Sequence, residues 1–439
     1  MIEKRNLVRL SRSAILTVLL LLLLGPVYGQ LQDEREAFEY SQVLYSDGLY
    51  ETAAEEFRRF ILNYPTSERL AHARLRLAEA YYQAESLTEA VDAYQIFVDR
   101  HPNNIEVIGA LRNRATALER LGEHIRAAAA FSDLYERFRT GEYAVQDLLS
   151  AGSNSRRAYD YPAAEQSLRT IITNHPSSPL LREAAFNLGL TLSDQERQSE
   201  ALQQFESIEN SEREPDALLE IGRISLEQDN ITKAERTFTE LRKRFPRNRS
   251  AHRSYLILGE WYENQAEWSK AIKTYEAARS ARLGTAQQQL AILGLARVYR
   301  KTNRDGLQLY AQFLKVYPTS EFLPDARLGL GRAFVDKKQY RQAINAFKRL
   351  QESFPDHPFS ITAHRDIGDV YAALGSPRPA LAAYQRHLDR ETDAQESSAT
   401  RLSMGRVYRE QLGWTDLAIE TFSQLTITAR PEIAVELHV

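Results

Sequence analysis

A short side chain returns along this sequence at a nearly constant interval: Ser41, Ala78, Ala115, Gly152, Gly189, Gly222, Gly259, Ala296, Gly331, Gly368 and Gly405. The steps are 37 residues, apart from one of 33 ending at Gly222 and one of 35 ending at Gly331. An alanine follows in each copy, at Ala53, Ala90, Ala127, Ala164, Ala201, Ala234, Ala271, Ala343, Ala380 and Ala418, with Gly306 in its place in the eighth. Four residues further on comes a large side chain: Phe57, Tyr94, Phe131, Leu168, Phe205, Phe238, Tyr275, Tyr310, Phe347, Tyr384 or Phe422. A pattern repeated this often describes an array of small identical units, each buried against its neighbours, rather than a set of globular domains.

Each unit reads as two amphipathic helices, because its apolar residues keep the spacing of three and four that places them on one helical face. In the ninth unit the first helix offers Leu330, Gly331 and Phe334, and the second Tyr340, Ala343, Phe347, Leu350 and Phe354. Pro65, Pro102, Pro176, Pro246, Pro318 and Pro355 end second helices, since proline lacks the amide hydrogen and clashes with the preceding turn. Ser67, Ser178 and Ser320 stand where the following helix needs an N-cap. The short residues have a packing reason: helices approach closely only where side chains are small, and the ring then fills the adjoining groove. Regularity is weakest at Ser207 to Pro215 and at Arg300 to Gly306.

This pattern resembles the tetratricopeptide repeat family across nearly all of residues 30–426, with Leu188, Gly189, Leu192, Ala201, Phe205 and Ile208 matching its motif. The resemblance implies an all-α fold: a right-handed α-solenoid, or superhelix, of about eleven helix-turn-helix repeats, with a concave groove lined by the first helix of each pair. A narrower resemblance lies in Tyr50, Ala53, Phe57, Phe60, Tyr64 and Pro65, then Leu77, Ala78, Tyr81 and Tyr82. It looks like the cell-envelope tetratricopeptide proteins of the β-barrel assembly and Tol–Pal systems. What it implies is an envelope location and a protein or peptide partner.

At the N-terminus, Lys4, Arg5, Arg9 and Arg12 precede an apolar run from Ala14 to Leu24, then Gly25 and Pro26. These are the marks of a secretory signal peptide, residues 1–29, cleaved before Gln30 or else kept as an anchor. Export by the Sec route to the periplasm, or beyond the cell, is the expected outcome. The chain has no cysteine, so neither a disulfide nor lipidation at a cysteine is expected. Removing residues 1–29 takes four basic and one acidic residue from the 56 and 59 present, leaving 52 against 58, a formal charge of −6. A nucleic-acid-binding surface needs the opposite imbalance. Residues 427–439 read as an incomplete further helix or a tail.

Projection of the first helices places the residues three before, one after and four after each short residue on the groove. At the N-terminal end these are Phe38, Gln42, Tyr45, Leu75, Glu79 and Tyr82; toward the C-terminus they include Leu293, Arg297, Arg300, Leu328, Arg332, Val335, Arg365, Asp369, Leu402, Arg406 and Arg409. The groove is therefore expected to be aromatic at one end and basic at the other. Such rings stack on apolar side chains or sugars, and guanidinium groups take carboxylates bidentately. The competing reading makes the arginines solvated helix formers and the rings packing residues.

Catalytic chemistry finds no footing: there is no His-Glu-x-x-His spacing and no glycine-rich phosphate loop after a strand, and the pairs Glu55-Glu56 and Asp33-Glu34 are scattered charges. His364 and His387 fall on facing helices and read as a packed pair before a metal site. Trp261, Trp268 and Trp414 rank below the groove as partner anchors. The expectation is a non-catalytic scaffold with no cofactor or metal, holding a cell-envelope protein or extended peptide in its groove and acting in envelope or outer-membrane assembly. The alternatives are a glycan-associated or peptidoglycan-associated scaffold, or the substrate-holding arm of a longer enzyme.

Overall fold

The computed structural model describes residues 33–281 and 284–425. The signal segment 1–29 and the tail 427–439 lie outside them. Every regular element described is helical, and the chain divides into two compact units at Glu214 and Pro215, inside the segment where the repeat interval shortens.

In the first unit the pairs are α1 (33–46) with α2 (Tyr50–Asn63), α3 (Leu70–Gln83) with α4 (Leu87–Arg100), α5 (Val107–Arg120) with α6 (His124–Arg137), α7 (Ala144–Arg157) with α8 (Tyr161–Asn174), and α9 (Leu181–Asp194) with α10 (Gln198–Glu206). The second unit holds α11 (Glu214–Glu227) with α12 (Ile231–Arg244), α13 (Arg249–Asn264) with α14 (Trp268–Ser280), α15 (Thr285–Lys301) with α16 (Gly306–Val316), α17 (Leu323–Asp336) with α18 (Tyr340–Ser353), α19 (Pro358–Ala373) with α20 (Pro377–Leu388), and α21 (Ala394–Arg406) with α22 (Thr415–Ser423). A π-helical turn, Val407–Leu412, extends α21. Each unit is thus a solenoid of stacked helix pairs. The 33-residue interval has a simple cause: α10 has nine residues where most of its counterparts have 14.

The sequence register is realised in atoms. A Cβ placed on Gly189 would lie 2.6 Å from the Phe205 ring, and one on Gly259 would lie 2.6 Å from the Tyr275 ring. Glycine is needed there because the ring has taken the volume of the missing side chain. The partner alanines from Ala53 to Ala380 are fully buried, and Phe57, Phe238 and Phe347 have no exposed surface at all. Burying each ring contributes about 1.5–3 kcal/mol. Gly306 breaks the alanine rule for a different reason. A Cβ on it would meet the Ala296 carbonyl oxygen at 2.5 Å, so α15 and α16 touch backbone to backbone.

Two features escape the sequence pattern. The first is a left-handed residue in the turn between paired helices, at Gly48, Glu85, Gly122, Tyr159, Glu196, Asp229, Ala266, Asn303, Lys338, Gly375 and Gly413. In the second repeat the Ser86 amide donates to the Tyr81 carbonyl at 3.0 Å and the Glu85 amide to the Tyr82 carbonyl at 3.3 Å, the paired closure that ends a helix in this conformation. Exposed Ala266, with φ of 56°, carries a Cβ that disfavours this region. Ala266→Gly is expected to stabilise the protein by about 0.5–1 kcal/mol in a urea titration.

The second concerns the expected serine caps. Ser67, Ser178 and Ser320 accept from the amides of Arg69, Leu180 and Phe322 at 2.9, 3.2 and 3.0 Å, but the helices begin at Leu70, Leu181 and Leu323. They cap a short turn ahead of the helix, not the helix itself. Ser67 also donates to Glu34 and Ser320 to Gln289, both at 2.6 Å, tying the turn to the first helix of the preceding repeat.

Candidate interaction surface

In the second unit, side chains from α15, α17 and α19 enclose a cleft of about 340 Å³. It brings together the expected groove residues Arg300, Arg332, Val335, Arg365 and Asp369, and adds Asp336, Asp366 and Phe347. The first helices of successive repeats lie side by side, so positions about one repeat apart in sequence become neighbours in space.

That adjacency overturns the expected basic end. Arg297 is held bidentately by Glu263 at 2.6 and 2.9 Å, and Arg332 by Asp366 at 2.7 and 3.4 Å. Arg300 pairs with Asp336 at 3.1 Å, and Arg365 pairs with Glu396. Three guanidinium groups therefore face three carboxylates in the cleft, which is mixed in charge rather than positive. Burial by itself would weaken the charged form of Arg297, but the hydrogen bonds it donates to Glu263 more than offset this and hold the guanidinium above its usual range. Desolvation raises the carboxyl groups of Asp325 and Asp369 above the usual 3.8. Asp369 remains open to solvent, yet the surrounding protein displaces much of its water, and the Tyr384 hydroxyl donates to it at 2.7 Å.

The missed carboxylates had a signal. Arg297 and Glu263, Arg332 and Asp366, and Arg300 and Asp336 are 34, 34 and 36 residues apart. A search for opposite charges at just under one repeat finds them, whereas apolar periodicity does not.

Other expected groove residues are placed differently. Phe38 and Leu75 are core, 7% and 9% exposed, and Leu293 and Leu328 are more deeply buried. Their position, three before the short residue, turns inward in these copies, whereas Leu402 stays partly exposed. Phe38 meets Phe57 and Phe60 at ring separations of 6.0 and 5.4 Å. Tyr45 and Tyr82 are half-buried and reach the surface, but each ring is covered by an arginine from the following repeat: Arg76 at 5.3 Å and Arg120 at 4.9 Å. Arg406 is exposed, and Arg409 pairs with Glu410 at 2.9 Å; neither joins the cleft. Trp261 and Trp268 pack on the core, while Trp414 is 45% exposed and stacks on Tyr408.

His364 and His387 take separate partners. His364 Nδ1 meets Gln351 at 2.9 Å, and His387 Nδ1 meets Thr400 at 3.0 Å. Among the described residues no cluster of three or more metal-binding side chains forms. His387 is 1% exposed, and burial, reinforced by Arg365, lowers its pKa below 6.5 against the opposing pull of Glu391, Glu396 and Asp366. The unfolded chain binds that proton more readily, so the contribution is complete above about pH 6.5 and is lost as pH falls toward the folded value. His387→Gln is expected to flatten the acid limb of a plot of Tm against pH, and an unchanged limb would remove His387 as its source.

Over residues 31–111 the chain matches the outer membrane lipoprotein family YfiO, and over residues 219–289, 293–358 and 328–399 the tetratricopeptide repeat family TPR_16. The protein is a tetratricopeptide-repeat solenoid. Its N-terminal repeats resemble the lipoprotein of the β-barrel assembly machinery. It is 27% identical over 147 residues to outer membrane protein assembly factor BamD of Rickettsia prowazekii (strain Madrid E), covering 29% of this chain and 59% of that relative's length. Among solved structures it is similar to a tetratricopeptide repeat protein from Parabacteroides merdae ATCC 43184, at 17% identity and a TM-score of 0.42, covering 67% of this chain and 96% of that one. It is also similar to yeast Tom70, at 12% identity and a TM-score of 0.42, with coverage of 93% and 94%. Among the described residues no helix is long and apolar enough to cross a membrane.

Proposed function

We propose that this chain is a non-catalytic scaffold of the cell envelope, exported by its N-terminal segment, that holds an extended segment of another protein along the face built by its first helices. Its setting would be envelope or outer-membrane assembly. The observation that carries the reading is the cleft itself. Arg300, Arg332 and Arg365 alternate there with Asp336, Asp366 and Asp369, beside the apolar and partly exposed Val335. Walls of alternating sign offer donors and acceptors to a polypeptide backbone and to side chains of either charge. The likeness of residues 31–111 to an outer membrane lipoprotein family supports the setting. The covered rings of Tyr45 and Tyr82 leave less aromatic surface for a sugar than the glycan alternative needs.

Val335→Trp fills the cleft and spares the ion pairs. Capture of partners from an envelope extract, followed by crosslinking, is expected to lose at least one specific partner with this variant while the thermal melt is unchanged. Identical partner sets from wild type and variant would reject the cleft as the binding site.

A further inference from the structure

A second cleft, of about 480 Å³, lies on the other side of α17. Arg332, Val335 and Asp336 face the first cleft, whereas Leu323, Arg327, Leu330 and Phe334 recur at the three-and-four spacing and face the second. α16 and α18 form its walls, with Leu314 on one side and Arg349 on the other. Leu314, Leu323, Leu330 and Phe334 are all partly exposed, an apolar floor that the stacking of repeats leaves uncovered.

The cations here behave unlike those of the first cleft. Arg300, Arg332 and Arg365 each hold a carboxylate. Arg327 instead donates to the backbone carbonyl of Arg349 at 3.1 Å and lies 5.3 Å over the Phe354 ring. Among the described residues neither Arg327 nor Arg349 has a carboxylate within ion-pair distance. The first unit has a cleft of about 310 Å³ in the equivalent place, over α7 and between α6 and α8, but Ser132, Glu136, Asp160, Gln166 and Thr170 make it polar. The geometry thus recurs with the repeat, while the pairing of an apolar floor with unanswered cations belongs to this place.

We propose that the cleft over α17 is a second docking site, which takes an acidic amphipathic helix from another protein. From Leu323 to Phe334 the floor runs about 16 Å, three helical turns. A partner helix would set aliphatic side chains at i, i+7 and i+11 on Leu323, Leu330 and Phe334 and present carboxylates to the forks of Arg327 and Arg349. Gln342 and Asn345 supply uncharged polar groups at the rim.

The test is a fluorescence anisotropy titration of the purified protein with a labelled synthetic helix of about 14 residues. The peptide carries leucines at those spacings flanked by glutamates, and a sister peptide carries lysines in their place. Wild type and Val335→Trp are expected to bind the acidic peptide equally, with affinity weakening as salt rises. Arg327→Gln/Arg349→Gln is expected to weaken it about tenfold or more. Arg349→Gln alone, at an exposed position, gives a smaller loss in the same direction and keeps the test open if the double variant melts early. Equal binding of the lysine peptide, unchanged binding to the glutamine variants, or loss of binding with Val335→Trp alone would overturn the proposal. So would saturation by decanoate with neither peptide bound. Failure of the partner capture described for Val335→Trp would leave this result untouched, because the two clefts lie on opposite sides of α17.

Discussion

Arg112→Met is expected to cost about 3–5 kcal/mol in a urea unfolding titration. Asp147, in the first turn of α7, is 1% exposed, and Arg112 of α5 holds it bidentately at 2.7 and 2.8 Å. Arg112 is itself covered, lying 4.6 Å from the Tyr143 ring, with 23% of its side chain exposed. Methionine keeps much of the packing but abandons a carboxylate that has no water to turn to. The damage is therefore an uncompensated buried charge, more than the worth of the pair itself. Arg112→Met/Asp147→Leu is expected to recover most of the loss, since two apolar groups ask nothing of each other. A double variant as unstable as the single one would show that the cost lies in lost packing.

Tyr275→Ala should cost about 3–5 kcal/mol by the same measurement, for a reason rooted in the repeat. The Tyr275 ring is 1% exposed and fills the space between two glycines of successive first helices: a Cβ on Gly259 would lie 2.6 Å from it, and one on Gly294 2.5 Å. Both neighbours are backbone, so neither can move a side chain into the hole, and the cavity stays close to its full size. The reciprocal change, Gly294→Ala, adds a methyl group where the ring already is and is expected to cost about 1–3 kcal/mol. If Tyr275→Ala lost under 1 kcal/mol, the ring would not be the element that joins these repeats.

The stacked architecture was legible because it rests on local rules. Short residues such as Gly189 meet large ones such as Phe205 in every copy, and a volume rule applied at a fixed interval can be read without coordinates. Proline placement was legible for the same reason, with Pro65, Pro102 and Pro176 following the ends of α2, α4 and α8. The groove was legible only in part. Position on a helical wheel identified Arg300, Arg332, Arg365, Val335 and Asp369 as neighbours, and they do line one cleft. The same wheel put Phe38 and Leu75 on the open face, because it cannot weigh how far the next helix leans over them.

What the amino-acid order determined alone is the helix pair, its interval and the contact of small residue with ring, each settled by steric fit within about 40 residues. The tertiary structure decided the charge of the face. Glu263, Asp366 and Asp336 reach Arg297, Arg332 and Arg300 only because like positions of consecutive repeats are laid side by side. It also decided which cations stay unanswered, Arg327 and Arg349 among them, because electrostatic energy depends on distances across the stack that local periodicity does not specify.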